Sequence, residues 1–102
     1  MVFKNYTPHT AKDKFDAQVE FIDVRETNEY AMAHIPGAKL IPLSQMNERF
    51  QEIPQDREVV VYCQTGSRSA YLCQVLAENG FTNLVNLAGG IEAWYHAAYP
   101  VE

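Results

Sequence analysis

Cys63 stands at the end of an apolar run in VVVYCQTGSRSAYL, residues 59–72, and Gly66, Ser67, Arg68 and Ser69 follow it closely. That spacing suits a thiol nucleophile in a loop built for an anion. Gly66 permits a backbone conformation that other residues resist, and the amides of residues 64 to 68 can then turn around a common point as an anion-binding nest. A helix starting just downstream adds its partial positive charge, and Arg68 adds a full one. Each contribution favours thiolate over thiol, and cysteines so placed fall to pKa values of roughly 3.5–7.5. No histidine adjoins Cys63, and none is needed as a base. The competing reading is a small apolar residue that closes a buried strand, the usual fate of a free cysteine. Spacing alone leaves both open. Cys73 lies inside the following helical segment with no basic neighbour and reads as buried filler. A resolving role would need its sulfur within disulfide geometry of Cys63.

The elements that must position this loop alternate. TPHTAKDKFDA predicts a helix capped by Thr7, with Pro8 in its first turn and Phe15 facing inward. VEFIDV (19–24) predicts a strand, ETNEYAMAH a short helix stopped at Pro36 and Gly37, and KLIPL a second strand. Ser44 is expected to cap a helix over QMNERF. REVVVYC is the strongest strand; Val59, Val60 and Val61 show no in–out alternation and predict burial on both faces. SRSAYLCQVLAENG predicts a helix with Leu72, Val75 and Leu76 inward and Gly80 as its stop. TNLVNL predicts a last strand and GGIEAWYHAAYP a last helix, with Gly89-Gly90 as the tight turn into it. The implied class is α/β: a small, mostly parallel sheet of about five strands with helices on both faces. Ligands of such sheets sit beyond the strands' carboxyl ends, where Cys63 falls.

The chain has 102 residues, enough for one domain over residues 1–102. Its net charge of −5 argues against a nucleic-acid footprint but leaves room for a small local anion site. No apolar h-region opens the sequence and no run reaches the length of a membrane span, so a cytoplasmic protein with no membrane partner is expected. Two cysteines make no disulfide framework, and His9, His34 and His96 stand in no ligand spacing, so neither metal nor cofactor is expected.

Three segments together resemble the rhodanese family of single-domain sulfurtransferases. FIDVRETNEYAMAHIPGAKLIPL (21–43) is similar to its Asp-Val-Arg strand end and His-Ile-Pro-Gly-Ala turn. VVVYCQTGSRSAYL is similar to its Cys-x-x-Gly-x-Arg-Ser loop, and LAGGIEAWYHAAYPVE (87–102) to its closing Gly-Gly-x-x-x-Trp segment. The resemblance spans nearly the whole chain, in the family's order. It implies a sulfurtransferase of the thiosulfate type, in which Cys63 takes sulfane sulfur from a small anionic donor such as thiosulfate. The resulting persulfide passes sulfur to cyanide or a thiol acceptor, or to a sulfur-relay protein. It further implies that the amides of Gln64, Thr65, Gly66, Ser67 and Arg68 hold the persulfide and that Arg68 orients the donor. Ser67 and Ser69 would cap the loop-to-helix junction. Asp23 and Arg25 match the family's strand-end pair and read as a brace beside the loop; the plainer alternative is an exposed ion pair worth about 0–1 kcal/mol. His34 reads as a structural hydrogen bonder, and Trp94 and Tyr95 as core and surface packing.

The chain departs from the family pattern at Gln64 and Thr65, where many relatives carry basic residues, which lowers the expectation for thiosulfate. Ala33, in place of a glycine before the histidine, and Ala97-Ala98-Tyr99 before the last proline are local turn adjustments. Two rivals are a phosphatase or arsenate reductase and a non-catalytic binding module. Related phosphatases space cysteine and arginine by five residues, but only four separate Cys63 from Arg68. The smaller ring favours a single sulfur over a tetrahedral phosphate. The presence of Cys63, Gly66 and Arg68 weighs against the binding module, and a partner-dedicated persulfide carrier stays open.

Overall fold

The computed structural model describes residues 3–102. Five strands form one parallel sheet: β1 (Lys4–Tyr6), β2 (Glu20–Asp23), β3 (Lys39–Leu40), β4 (Val59–Tyr62) and β5 (Leu84–Leu87), in spatial order β1-β5-β4-β2-β3. Between them run α1 (Pro8–Asp16), α2 (Thr27–Met32), α3 (Met46–Arg49, flanked by 3₁₀ turns), α4 (Ser67–Glu78) and, last, α5 (Gly90–His96). The α/β expectation holds in class and strand direction.

β4 lies at the centre because both its faces are apolar. Val59 and Val61 pack with Leu72, Cys73 and Leu76 of α4 and with Met46 of α3. Val60 and Tyr62 pack on the other face with Ala11 of α1 and Ile91 and Trp94 of α5. Phe15, Phe21 and Tyr99 stand edge-to-face around Trp94 at 5.2–5.8 Å between ring centres. Phe15 is thus inward, as its spacing predicts.

Three local expectations are corrected. The edge strand β1 lies in VFKNY, where no strand is predicted; it is short and pairs through its backbone with β5, and its own side chains are mostly exposed. The KLIPL strand shrinks to Lys39–Leu40 before Pro42 ends it. Ser44 caps no helix: its hydroxyl donates to Glu26 Oε1 at 2.7 Å, tying the loop to the start of α2.

Candidate active site

Cys63 is the first residue beyond β4, at the carboxyl edge of the sheet, and has no solvent exposure. The chain must turn there and enter α4. Gly66 makes this possible as the N-cap of α4, at φ +98°. A side chain there would also meet Gly89 N at 3.0 Å, so Gly66 answers both a backbone angle and a close approach.

The loop closes around sulfur. The N–H groups of Gly66 and Ser69 point at Cys63 Sγ at 3.1 and 3.3 Å, and the Ser69 hydroxyl lies at 3.3 Å. Burial opposes the ionised form. Hydrogen bonds from the Ser69 hydroxyl and from the N–H groups of Ser69, Gly66 and Thr65 outweigh it and hold the thiol below its ordinary range. Cys73 is equally buried, but burial pushes its thiol up to about 12, with the Cys63 charge adding to the effect. Two buried cysteines therefore differ in kind: one sits among donors and the other is packing.

Not every predicted site residue lands as expected. Among the described residues, Gln64, Ser67 and Arg68 direct no N–H at the sulfur; Ser69, outside the expected nest, does. Neither Ser67 nor Ser69 caps α4 through its side chain, since Gly66 occupies the N-cap. The Ser69 hydroxyl instead faces Cys63, the Gly66 carbonyl and Asn86 Oδ1. Ser67 and Thr65 are exposed. Arg68 lies across the loop from α2, and its Nη1 and Nη2 donate to Glu29 Oε1 and Oε2 at 3.0 and 2.8 Å. That bidentate bond draws Glu29 down to about 2.

Asp23 and Arg25 form a buried pair rather than an exposed one, at 0% and 3% exposure. Arg25 Nη2 donates to Asp23 Oδ2 at 2.8 Å and to the Ala33 carbonyl at 2.6 Å, while Nη1 donates to Gln64 Oε1 at 3.1 Å. One guanidinium thus joins the end of β2, the end of α2 and the loop. His34 stacks on Tyr30 and meets its carbonyl at 2.9 Å, a structural placement. Trp94 is fully buried and Tyr95 exposed.

Three residues of the site escaped the sequence reading. Glu29 draws no reading from the sequence; its position in the first turn of α2 is the available signal. Asn86 is a polar residue in an otherwise apolar strand, LVNL, and that interruption was visible. Gly90 reads only as part of a turn, but a Cβ there would stand 2.5 Å from the carbonyl oxygens of both Cys63 and Gln64. α5 therefore closes directly against the loop, with Ile91 N–H donating to Cys63 O and Glu92 N–H to Gln64 O.

A parallel α/β domain with a cysteine ringed by N–H and O–H donors at the carboxyl end of its central strand defines a class of thiol-bearing domains. The chain belongs to the rhodanese-like domain family, whose model matches residues 7–97. A Bacillus subtilis protein, YqhL, is 47% identical over 77 residues, which cover 76% of this chain and 61% of YqhL. The chain thus spans less than two thirds of that relative. A sulfurtransferase of Allochromatium vinosum is 40% identical over 83 residues, covering 81% of this chain and 78% of its own. The crystal structure of a rhodanese-related protein from Thermoplasma volcanium superposes with a TM-score of 0.90 at 29% identity, over 98% of both chains. No helix among the described residues is long and apolar enough to cross a membrane.

Proposed function

We propose that the protein is a sulfurtransferase that carries sulfane sulfur on Cys63. The observation that supports this most directly is the convergence of N–H and O–H donors on one buried, easily ionised sulfur. The names of relatives such as the Allochromatium sulfurtransferase point the same way. In the first half-reaction Cys63 thiolate attacks the outer sulfur of the donor. The donor's S–S bond breaks, its electron pair leaves with the departing group (sulfite, when the donor is thiosulfate), and Cys63 persulfide remains. A thiolate or cyanide then attacks the outer sulfur and releases Cys63 as thiolate, with no net oxidation. The N–H groups of Thr65, Gly66 and Ser69, with the Ser69 hydroxyl, hold the persulfide's inner sulfur, and the Asp23–Arg25 pair braces the loop. Neither half-reaction calls for a metal or cofactor. The reducing cytoplasm suits a domain whose function needs a free thiol.

One feature favours a protein-borne or organic persulfide over thiosulfate as donor. Arg68 spends two of its donors on Glu29, and Arg25 is committed to Asp23, Ala33 and Gln64. A small dianion therefore meets no unpaired arginine at these positions, and Gln64 and Thr65 add no charge. The burial of Cys63 also selects donors that present a slim terminal sulfur.

Incubation with thiosulfate or an organic persulfide, followed by removal of donor and intact-mass measurement, is expected to show one added sulfur on the wild-type chain. Cys63→Ser is expected to show none. Loading from the organic persulfide is expected to exceed loading from thiosulfate. No adduct from any donor while Cys63 is reduced would reject sulfur transfer, and an adduct surviving in Cys63→Ser would move it elsewhere.

A further inference from the structure

The Ser69 hydroxyl has one proton and three acceptors within reach: Asn86 Oδ1 at 2.5 Å, Cys63 Sγ at 3.3 Å and the Gly66 carbonyl at 3.3 Å. The nearest is the amide oxygen of Asn86, a residue 3% exposed in β5. Its orientation is held from the other side. Asn86 Nδ2 donates to Asn5 Oδ1 at 2.9 Å and lies 3.4 Å from the Gly66 carbonyl. Turning the amide over would set oxygen against that carbonyl, so the acceptor stays aimed at Ser69.

We propose that Asn86 is a positioning residue that sets the ionisation of Cys63 by competing for the Ser69 proton. When Cys63 is a thiol, Ser69 donates to Asn86 and offers its lone pairs to the S–H. When Cys63 ionises, the hydroxyl turns its proton to the sulfur and leaves the buried Asn86 oxygen without its partner, a cost charged to the thiolate. No covalent bond changes in the switch; a hydroxyl rotates.

The other charged or titratable groups around the sulfur are Arg68 on α4 with Glu29 on α2, the Asp23–Arg25 pair at the end of β2, and Cys73 on α4. A substitution at Asn86 changes the charge of none of them. A structural role for Asn86 and a competing role predict opposite signs. Loosening the loop would weaken the donors to sulfur and raise the Cys63 pKa; removing a competitor frees one donor and lowers it.

The inference rests on Cys63 as the reactive thiol, and its test reads ionisation without any sulfur donor, so failure of sulfur loading and failure of the switch are separate results. The thiolate absorbance of Asn86→Leu, of Asn86→Ala and of the wild type is titrated against pH, with Cys63→Ser as baseline. The Cys63 pKa is expected to fall by about half to one unit in the Asn86 variants. It is expected to rise in Ser69→Ala, where Asn86→Leu or Asn86→Ala should then shift it no further. Leucine keeps bulk and alanine adds none, so one of the two carries the test if the other does not fold. A folded Asn86 variant with an unchanged or raised pKa overturns the proposal, as does a fall that persists in the Ser69→Ala background.

Discussion

At the scale of single residues, the site depends on atoms that are missing as much as on those present. Gly90 has no side chain, and so the backbone of α5 can touch the carbonyls of Cys63 and Gln64 and fix the loop from outside. Backbone oxygens cannot swing aside as a lysine tip can. Gly90 also sits at φ +64°, in the left-handed region. Gly90→Ala is therefore expected to cost about 2–4 kcal/mol of stability and to abolish sulfur loading even under conditions where the variant stays folded. Urea unfolding checks the first and intact mass the second; a variant with wild-type loading would show that the contact does not shape the loop.

At the scale of elements, α2 joins the site to the rest of the fold. Glu29 accepts the Glu26 N–H in the capping box of this helix and holds Arg68 of α4 at the same time. Its folded pKa of about 2 lies below the ordinary carboxylate value, chiefly through the Arg68 bond. The sign follows: a depressed carboxylate adds stability above its unfolded pKa of roughly 4.3. That contribution fades as pH falls from there through about 2. Glu29→Gln is thus expected to be less stable than wild type near neutrality, with the difference shrinking as pH drops through this window. Urea midpoints of the two proteins at neutral and low pH test this. A gap that stays constant would place the stabilisation elsewhere than in the charge.

For the whole molecule, the sheet is covered on both faces and β4 contributes side chains to both cores. Trp94 is fully buried beneath the same sheet whose end holds Cys63, and its Nε1 donates to the Pro100 carbonyl at 2.7 Å. It gathers α1, β2, α5 and the closing segment into one aromatic cluster. Trp94→Ala is expected to cost about 3–5 kcal/mol. The Cys63 pKa of the fraction that stays folded should change little, because the cluster lies on the face away from α4. Denaturant unfolding and thiolate titration on one sample separate these effects; a large pKa shift would mean that the loop senses this packing, through the sheet or through the α5 start that touches it.

The linear sequence carried much of this. Strand–helix alternation specified a parallel α/β sheet, because apolar runs without in–out alternation have nowhere to go but a sheet covered on both faces. The Cys-x-x-Gly-x-Arg-Ser spacing marked the loop, because a turn into a helix needs its glycine near the sulfur it serves. The edge strand β1 was illegible: it is three residues long, only Tyr6 packs on the core, and so short a run carries no in–out alternation. So was the partner of each polar group. Arg68 reads as the charge that orients a donor, but α2 delivers Glu29 to it from 39 positions away. Ser69 read as a cap, but β5 brings Asn86 to its hydroxyl across 17. A sequence determines which donors and acceptors a chain owns. Only the tertiary structure decides which acceptor claims each proton, because that depends on distances between strands that are remote in the chain.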